Sequence, residues 1–187
     1  MTGTSSWRSR IRSPRTAVIA AGVVTVAVAL IVVGATVGAG APAPHSLGKA
    51  RNFTLSVLGH PGQHLSLRSL DGSPVIVNFF ASWCTPCQKE TPLIARFYRA
   101  RQGRVRIVGI DVNDSAPAAL RFVHKSGVAY PVAVDPLPMK TATAYGLPGL
   151  PATFFLNARH VIVKRVFGAL TPAELTSGAS LMTQRNG

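Results

Sequence analysis

The chain has 187 residues, with 20 Lys or Arg against 6 Asp or Glu and a formal net charge of +14. Its only two cysteines stand three positions apart, which excludes a disulfide scaffold and leaves metal binding, haem attachment or redox chemistry. Haem attachment needs a histidine directly after the second cysteine, where this chain has Gln88, and the histidines are too dispersed for a zinc site. We therefore expect no metal and no separate cofactor.

The positive charge is scattered over a predicted helix and the loop after it. The arginines concerned are Arg96, Arg99, Arg101, Arg104 and Arg106. No RNA-binding motif or helix-turn-helix accompanies them. We interpret this charge as a solvated basic surface and expect no nucleic-acid partner.

The N-terminal part predicts a membrane anchor. Arginines precede an uncharged stretch, residues 16–40, which is long enough as a helix to cross the ~30 Å hydrocarbon core. These arginines are Arg8, Arg10, Arg12 and Arg15. Residues 1–15 are then cytoplasmic, and the rest of the chain lies outside the cytoplasm, on a cell membrane that it crosses once.

A cleaved signal peptide is the alternative, because residues 39–43 contain small-residue motifs that resemble cleavage sites. However, the apolar run exceeds the ~7–15 residues of a signal peptide, and a proline would follow either cut. We favour a retained anchor that contacts the lipid bilayer, a linker over residues 41–47, and one domain over residues 48–187.

The domain alternates strand and helix patterns, which indicates an α/β sandwich. Residues 53–58 and 65–70 predict an edge hairpin, and the continuous apolar run of residues 74–80 predicts a strand buried on both faces. The further predicted strands are 105–112, 132–134, 153–156 and 161–167. The predicted helices are 85–100, 116–125, 139–145 and 171–182, the last capped by Thr171.

The cysteine pair lies where the buried strand meets the first helix. Unpaired N–H groups at a helix N-terminus stabilise an anion, so Cys84 is the predicted nucleophile. Cys87, one turn later, would resolve the mixed disulfide. The intervening Thr85 and Pro86 keep the two sulfurs close and tune the redox potential. Asp111, Asn113 and Asp114, at the end of the next strand, are interpreted as turn-forming residues.

The run from Asn78 to Cys87, Asn-Phe-Phe-Ala-Ser-Trp-Cys-Thr-Pro-Cys, followed by Glu90 and Pro92, resembles the active-site segment of the thioredoxin superfamily. It is most similar to the extracytoplasmic, membrane-anchored TlpA, ResA and DsbE (CcmG) branch of thiol-disulfide oxidoreductases with a redoxin domain. The resemblance implies a thioredoxin-like three-layer sandwich with an N-terminal β-hairpin and a helical insertion, preceded by one transmembrane helix.

The resemblance also implies roles for residues outside the cysteine pair. Pro151, after Leu150, matches a proline that is cis in this family and faces the cysteines, and Glu90 matches a glutamate that helps set their pKa values. An exposed helix charge is the alternative for Glu90. Trp83 is interpreted as part of the partner-binding lip rather than a core residue. The predicted binding residues are Trp83, Thr85, Pro86 and Leu150. Asn78 replaces the buried Asp of thioredoxins, which leaves Glu90 as the expected proton-handling carboxyl group.

The function implied is reduction of disulfides in partner proteins such as apocytochrome c, through a Cys84–Cys87 dithiol-disulfide cycle. A membrane dithiol donor of the CcdA or DsbD type would regenerate the pair, and we expect a monomer. A peroxiredoxin-like peroxidase is one alternative, although Trp83 before Cys84 argues against it. The other is a copper-binding chaperone on the same fold, although its cysteine spacing is one residue longer.

Overall fold

The computed structural model describes residues 47–101 and 104–184. The predicted cytoplasmic segment, membrane anchor and almost all of the linker lie outside the described residues. Among those that are described, no helix combines the length and apolar character that crossing a membrane requires.

The described chain contains one seven-stranded mixed sheet with the order β2-β1-β5-β4-β3-β6-β7. β3 lies between parallel β4 and antiparallel β6, and β1 pairs antiparallel with both β2 and β5. The strands are β1 (Thr54–Val57), β2 (His64–Ser66), β3 (Val75–Phe80), β4 (Arg106–Val112), β5 (Val132–Asp135), β6 (Ala152–Leu156) and β7 (Ile162–Phe167).

Helices cover both faces of this sheet. They are α1 (Thr85–Ala100), α2 (Ala116–Lys125), α3 (Lys140–Ala144), α4 (Pro172–Thr183) and a 3-10 helix (Leu67–Leu70). Residues of α1, α2 and α4 join one apolar cluster, while α3 and the 3-10 helix join a second cluster on the opposite face. The predicted thioredoxin-like three-layer sandwich is therefore confirmed, including the helical insertion that supplies α2.

β3 is the central strand that positions the site. All six of its residues are buried, because sheet neighbours flank both edges and helices cover both faces. This confirms the interpretation of its apolar run, since a strand with no solvent face needs no polar alternation. β3 ends at the carboxyl edge of the sheet, and the next residues of the chain, 81–87, are the cysteine segment.

The edge hairpin is confirmed, but its second element is shorter than predicted. β1 and β2 pair from Thr54 with Ser66 to Ser56 with His64. After Ser66 the chain turns into the 3-10 helix, because the Ser66 side chain accepts a hydrogen bond from Arg68 N and so caps the new element. This turn buries Leu67 against the sheet.

Candidate functional site

The two cysteines lie at the start of α1. Cys84 is the N-cap residue of this helix, and the Cys87 N–H points at Cys84 Sγ from 3.2 Å. The two sulfurs form a disulfide in this structure. Because the helix N-terminus places N–H groups and a positive dipole end at Cys84, it would stabilise the thiolate formed when the bond opens.

The site is asymmetric in its exposure. Cys84 retains 5% of its surface, whereas Cys87 has none. Thr85 and Pro86 are exposed in the first turn of the helix. An incoming sulfur therefore meets Cys84 first, and Cys87 lies behind it.

A groove of about 380 Å³ runs beside the cysteine segment. Its lining includes both Trp83 and Leu150. Trp83 is 58% exposed, which agrees with a place on the lip rather than in the core. Its indole N–H donates to the carbonyl of Asn113 at 3.1 Å, so the exposed ring is held in place.

Pro151 lies at the same edge of the sheet. The Leu150–Pro151 bond is cis, as the resemblance implied. Pro151 directly precedes β6, whose first residue Ala152 pairs with Phe79 near the end of β3. Because β3 and β6 are antiparallel, the start of β6 and the cysteine segment lie at one end of the sheet.

Glu90 lies one turn after Cys87 and is buried, with only 2% exposure. The alternative of an exposed helix charge is therefore wrong. Asn78 Nδ2 donates to Glu90 Oε1 at 2.8 Å, and Leu170 N–H donates to Oε2 at 2.6 Å. Burial raises the pKa of Glu90, and these two hydrogen bonds oppose that rise.

Asn78 thus serves as a support for the carboxyl group. The same Nδ2 group also donates to Thr153 Oγ1 on β6 at 3.0 Å. Asn78 carries no ionisable proton, but it fixes the position of the residue that does. The network links β3, α1 and β6 beneath the cysteine pair.

Sequence reasoning missed the turn after β4 as part of this site. Asp114 Oδ2 accepts a hydrogen bond from Ser82 N at 2.6 Å, and the Asn113 carbonyl holds Trp83. The turn-forming interpretation was confirmed for Asn113, whose φ is 47°. It was wrong for Asp111, which is a paired residue of β4. The Asx-rich strand end was the available signal, but its contact with residues thirty positions away depends on the parallel pairing of β3 and β4.

Nowhere among residues 47–101 and 104–184 do three or more His, Cys, Asp or Glu side chains gather in a geometry that could hold a metal ion.

Comparisons with known proteins agree with this geometry. The model of the AhpC/TSA family matches residues 47–165. The chain is 36% identical over 123 residues to the thiol-disulfide oxidoreductase ResA of Bacillus subtilis, covering 65% of this chain and 67% of that protein. It is 34% identical over 125 residues to the thiol:disulfide interchange protein DsbE of Xylella fastidiosa, covering 66% of this chain and 62% of that one.

Solved structures give the same result. A secreted Mycobacterium tuberculosis disulfide oxidoreductase homologous to E. coli DsbE aligns with a TM-score of 0.62 and 26% identity, covering 68% of this chain and 94% of that one. These relatives are named for thiol-disulfide exchange, the chemistry that a cysteine pair at a helix N-terminus can carry out. The chain belongs to the AhpC/TSA family of thioredoxin-like proteins and is a thiol-disulfide oxidoreductase of the ResA and DsbE type.

Proposed function

We propose that the protein reduces disulfides in extracytoplasmic protein substrates, and that apocytochrome c is among them. The observation that carries this proposal is the disulfide at the N-terminus of α1, reachable through Cys84 and bordered by the Trp83–Leu150 groove. Such an open, partly apolar groove suits an extended polypeptide segment that carries the substrate disulfide.

The reaction is a two-electron exchange. The Cys84 thiolate attacks one sulfur of the substrate disulfide, that S–S bond breaks, and the other substrate sulfur leaves as a thiolate. The Cys87 thiolate then attacks Cys84 Sγ and releases the second substrate sulfur. The substrate is reduced by two electrons, and Cys84 and Cys87 become the disulfide.

Glu90 has the proton-handling role in this proposal. Its raised pKa suits a carboxyl group that takes the proton from Cys87 before the resolving attack. Glu90 lies three residues after Cys87, which places it on the same side of α1 one turn deeper. Hydrogen bonds from Asn78 and Leu170 hold its carboxyl group in place.

The location is also part of the proposal. The uncharged residues 16–40, preceded by arginines, would anchor the domain on the outer side of the cell membrane as a monomer. No cofactor is required, because the cysteine pair itself carries the electrons. A membrane dithiol donor of the CcdA or DsbD type would return the pair to the reduced state.

Trapping tests the chemistry. The full-length Cys87→Ser protein, reduced and in detergent, is mixed with an oxidised peptide containing the haem-attachment motif Cys-x-x-Cys-His. A mixed disulfide between Cys84 and the peptide is expected, because the resolving sulfur is missing. Cys84→Ser is the matched control and should trap nothing.

Three measurements decide between the proposal and its rivals. A midpoint potential near or below roughly −200 mV supports the reductase direction. Rapid turnover of hydrogen peroxide without a trapped peptide would favour a peroxidase, and stoichiometric Cu(I) binding without exchange would favour a copper chaperone.

Labelling of reduced Cys84 in intact cells by a membrane-impermeant maleimide tests the outer location, and labelling only after lysis would contradict it.

A further inference from the structure

Asp111 is a fully buried carboxyl group that the mechanism above does not use. It lies on β4, paired with Phe80 on β3 and with Val134 on β5, and it has 0% exposure. No N–H or O–H donor of the described residues reaches either of its oxygens. A buried carboxylate without donors is costly, so this group is favoured in its neutral form.

Its neighbour is the carboxyl group that holds the active-site segment. The Asp114 side chain lies within hydrogen-bonding reach of Asp111, and its negative charge opposes ionisation of Asp111. Asp114 itself accepts Ser82 N–H at 2.6 Å through Oδ2 and Ser115 N–H at 2.7 Å through Oδ1. A hydrogen bond between the two carboxyl groups requires one proton, which Asp111 would supply.

Other charges on this face of the sheet do not replace that interaction. Glu90 on α1 is held by Asn78 and Leu170, and its charge acts on Tyr130 before β5. The ionisable side chains of α2 are exposed; they are Arg121, His124 and Lys125. Asp114 is therefore the charged partner that matters for Asp111.

We propose that Asp111 is a positioning residue for the disulfide exchange: when protonated it donates to Asp114, and Asp114 then holds the segment that carries Trp83 and Cys84. This proposal rests on the proposed exchange function. Loss of the proton places two negative charges side by side. It weakens the hydrogen bond between Asp114 and Ser82 N–H, and it adds negative charge beside the cysteine pair.

The loss of the Asp111 proton acts as a switch, and this switch has a defined pH range. Burial and the charge of Asp114 raise the pKa of Asp111 to about 7. Below that pH the pair shares one proton and the segment is held. Above it both carboxyl groups are ionised and the segment is held less firmly. Because of the added negative charge, an attacking thiolate also meets electrostatic repulsion.

The titration can be read directly in the oxidised full-length protein in detergent, where the cysteines do not ionise. The sequence has four aspartates, Asp71, Asp111, Asp114 and Asp135, so carboxyl ¹³C NMR resolves them, with Asp111→Asn giving the assignment. A midpoint for Asp111 near pH 7 is expected. A midpoint below about pH 5, the range of an ordinary aspartate, would overturn the proposal.

Trp83 reports on the segment itself. In a Trp7→Phe background its fluorescence should change with a midpoint near pH 7, and Asp111→Asn should abolish the change. Asp71→Asn, at a largely exposed aspartate, is the matched control and should retain it. Asp114→Asn should move the Asp111 midpoint to lower pH, so that variant tests the pair even if Asp111→Asn does not fold.

The exchange rate connects the switch to function. The rate constant for cleavage of the Cys84–Cys87 disulfide by 2-mercaptoethanol, expressed per thiolate, should fall at least about threefold across pH 7 in the wild type. It should stay flat in Asp111→Asn, and equal profiles would contradict the positioning role. Because these readouts use the oxidised protein and a small thiol, they do not depend on whether the chain reduces protein substrates.

Discussion

At the scale of single residues, the pKa of Glu90 is set by its burial and by the groups that donate hydrogen bonds to it. Two donors, Asn78 Nδ2 and Leu170 N–H, each serve one oxygen of the carboxylate. Burial raises its pKa despite them. A carboxyl group whose pKa is raised in this way exchanges its proton at a higher pH than an exposed glutamate does.

Glu90→Gln should slow disulfide exchange by ~10²-fold or more, because the amide cannot take the proton from Cys87. One amide oxygen also cannot accept from both donors, which costs about 1–3 kcal/mol of stability. The pH-rate profile should lose the limb that depends on an ionised carboxylate. Glu174→Gln is the matched control, since a glutamine can still complete that helix cap. Identical pH profiles for Glu90→Gln and wild type would argue against the role.

Asn78→Asp should place a second carboxyl group 2.8 Å from Glu90 Oε1. Two carboxylates this close cannot both ionise readily, so one pKa of the pair should rise further. We expect the variant to unfold at lower denaturant concentration than wild type at pH 8, and the difference to shrink at pH 5. Asn78→Ser, which adds no charge, provides the comparison. A stability difference that does not vary with pH would contradict the expectation.

At the scale of elements, α4 connects the outer layer of the sandwich to the buried network. Thr171 caps this helix through a capping box with Glu174, and the residue before the cap, Leu170, donates to Glu90. The helix lies on β6 through a close approach at Gly178, where an added Cβ would overlap the ring of Phe155. The start of α4 is thereby fixed relative to the active-site helix.

Gly178→Ala should destabilise the protein by about 1–3 kcal/mol, although alanine is the better helix former. The reason is that the methyl group has no space against Phe155, which is fully buried. Gly149→Ala is the control, because nothing lies within 4 Å of its added Cβ. Thermal unfolding of both variants is the measurement, and an unchanged Tm for Gly178→Ala would show that α4 can shift away from the sheet.

At the scale of the whole molecule, two apolar clusters lie on opposite faces of one sheet. One of these clusters contains the cysteine pair. Two buried carboxyl groups, Glu90 on α1 and Asp111 on β4, belong to the same sandwich, and the pKa values of both are raised. The redox site and the ionisable groups are therefore part of the core on which folding depends.

The oxidised protein should become less stable as pH rises from about 4 to above 7. The folded state keeps protons on Glu90 and Asp111 that the unfolded chain releases near pH 4, so unfolding releases protons and is favoured by rising pH. The lowered pKa of Glu174 has the opposite effect, but only at more acidic pH. A higher Tm at pH 5.5 than at pH 8.5 is expected, with a smaller difference in Glu90→Gln/Asp111→Asn. A Tm that rises over this interval would contradict the prediction.

The sequence by itself determined the α/β architecture, the central strand and the place of the cysteine pair at the start of α1. These depend on local signals: a continuous apolar run, helical spacing, and two cysteines at a strand-to-helix junction. The family resemblance carried by the motif around Trp83 and by Pro151 then predicted that the cysteine pair and the proline before β6 meet at the site. The membrane anchor remains a prediction of the same kind, since it falls outside the described residues.

The tertiary structure decided which polar groups are buried and what they contact. No local pattern distinguishes an exposed Glu90 from a buried one, because its burial depends on Leu170, eighty positions away. Asp111 lies among the buried apolar residues of β4. The significance of its charge depends on the parallel pairing of β3 and β4, which brings Asp114 to Ser82. Such long-range contacts set the pKa values, since burial and neighbouring charge are properties of the packed molecule and not of the local sequence.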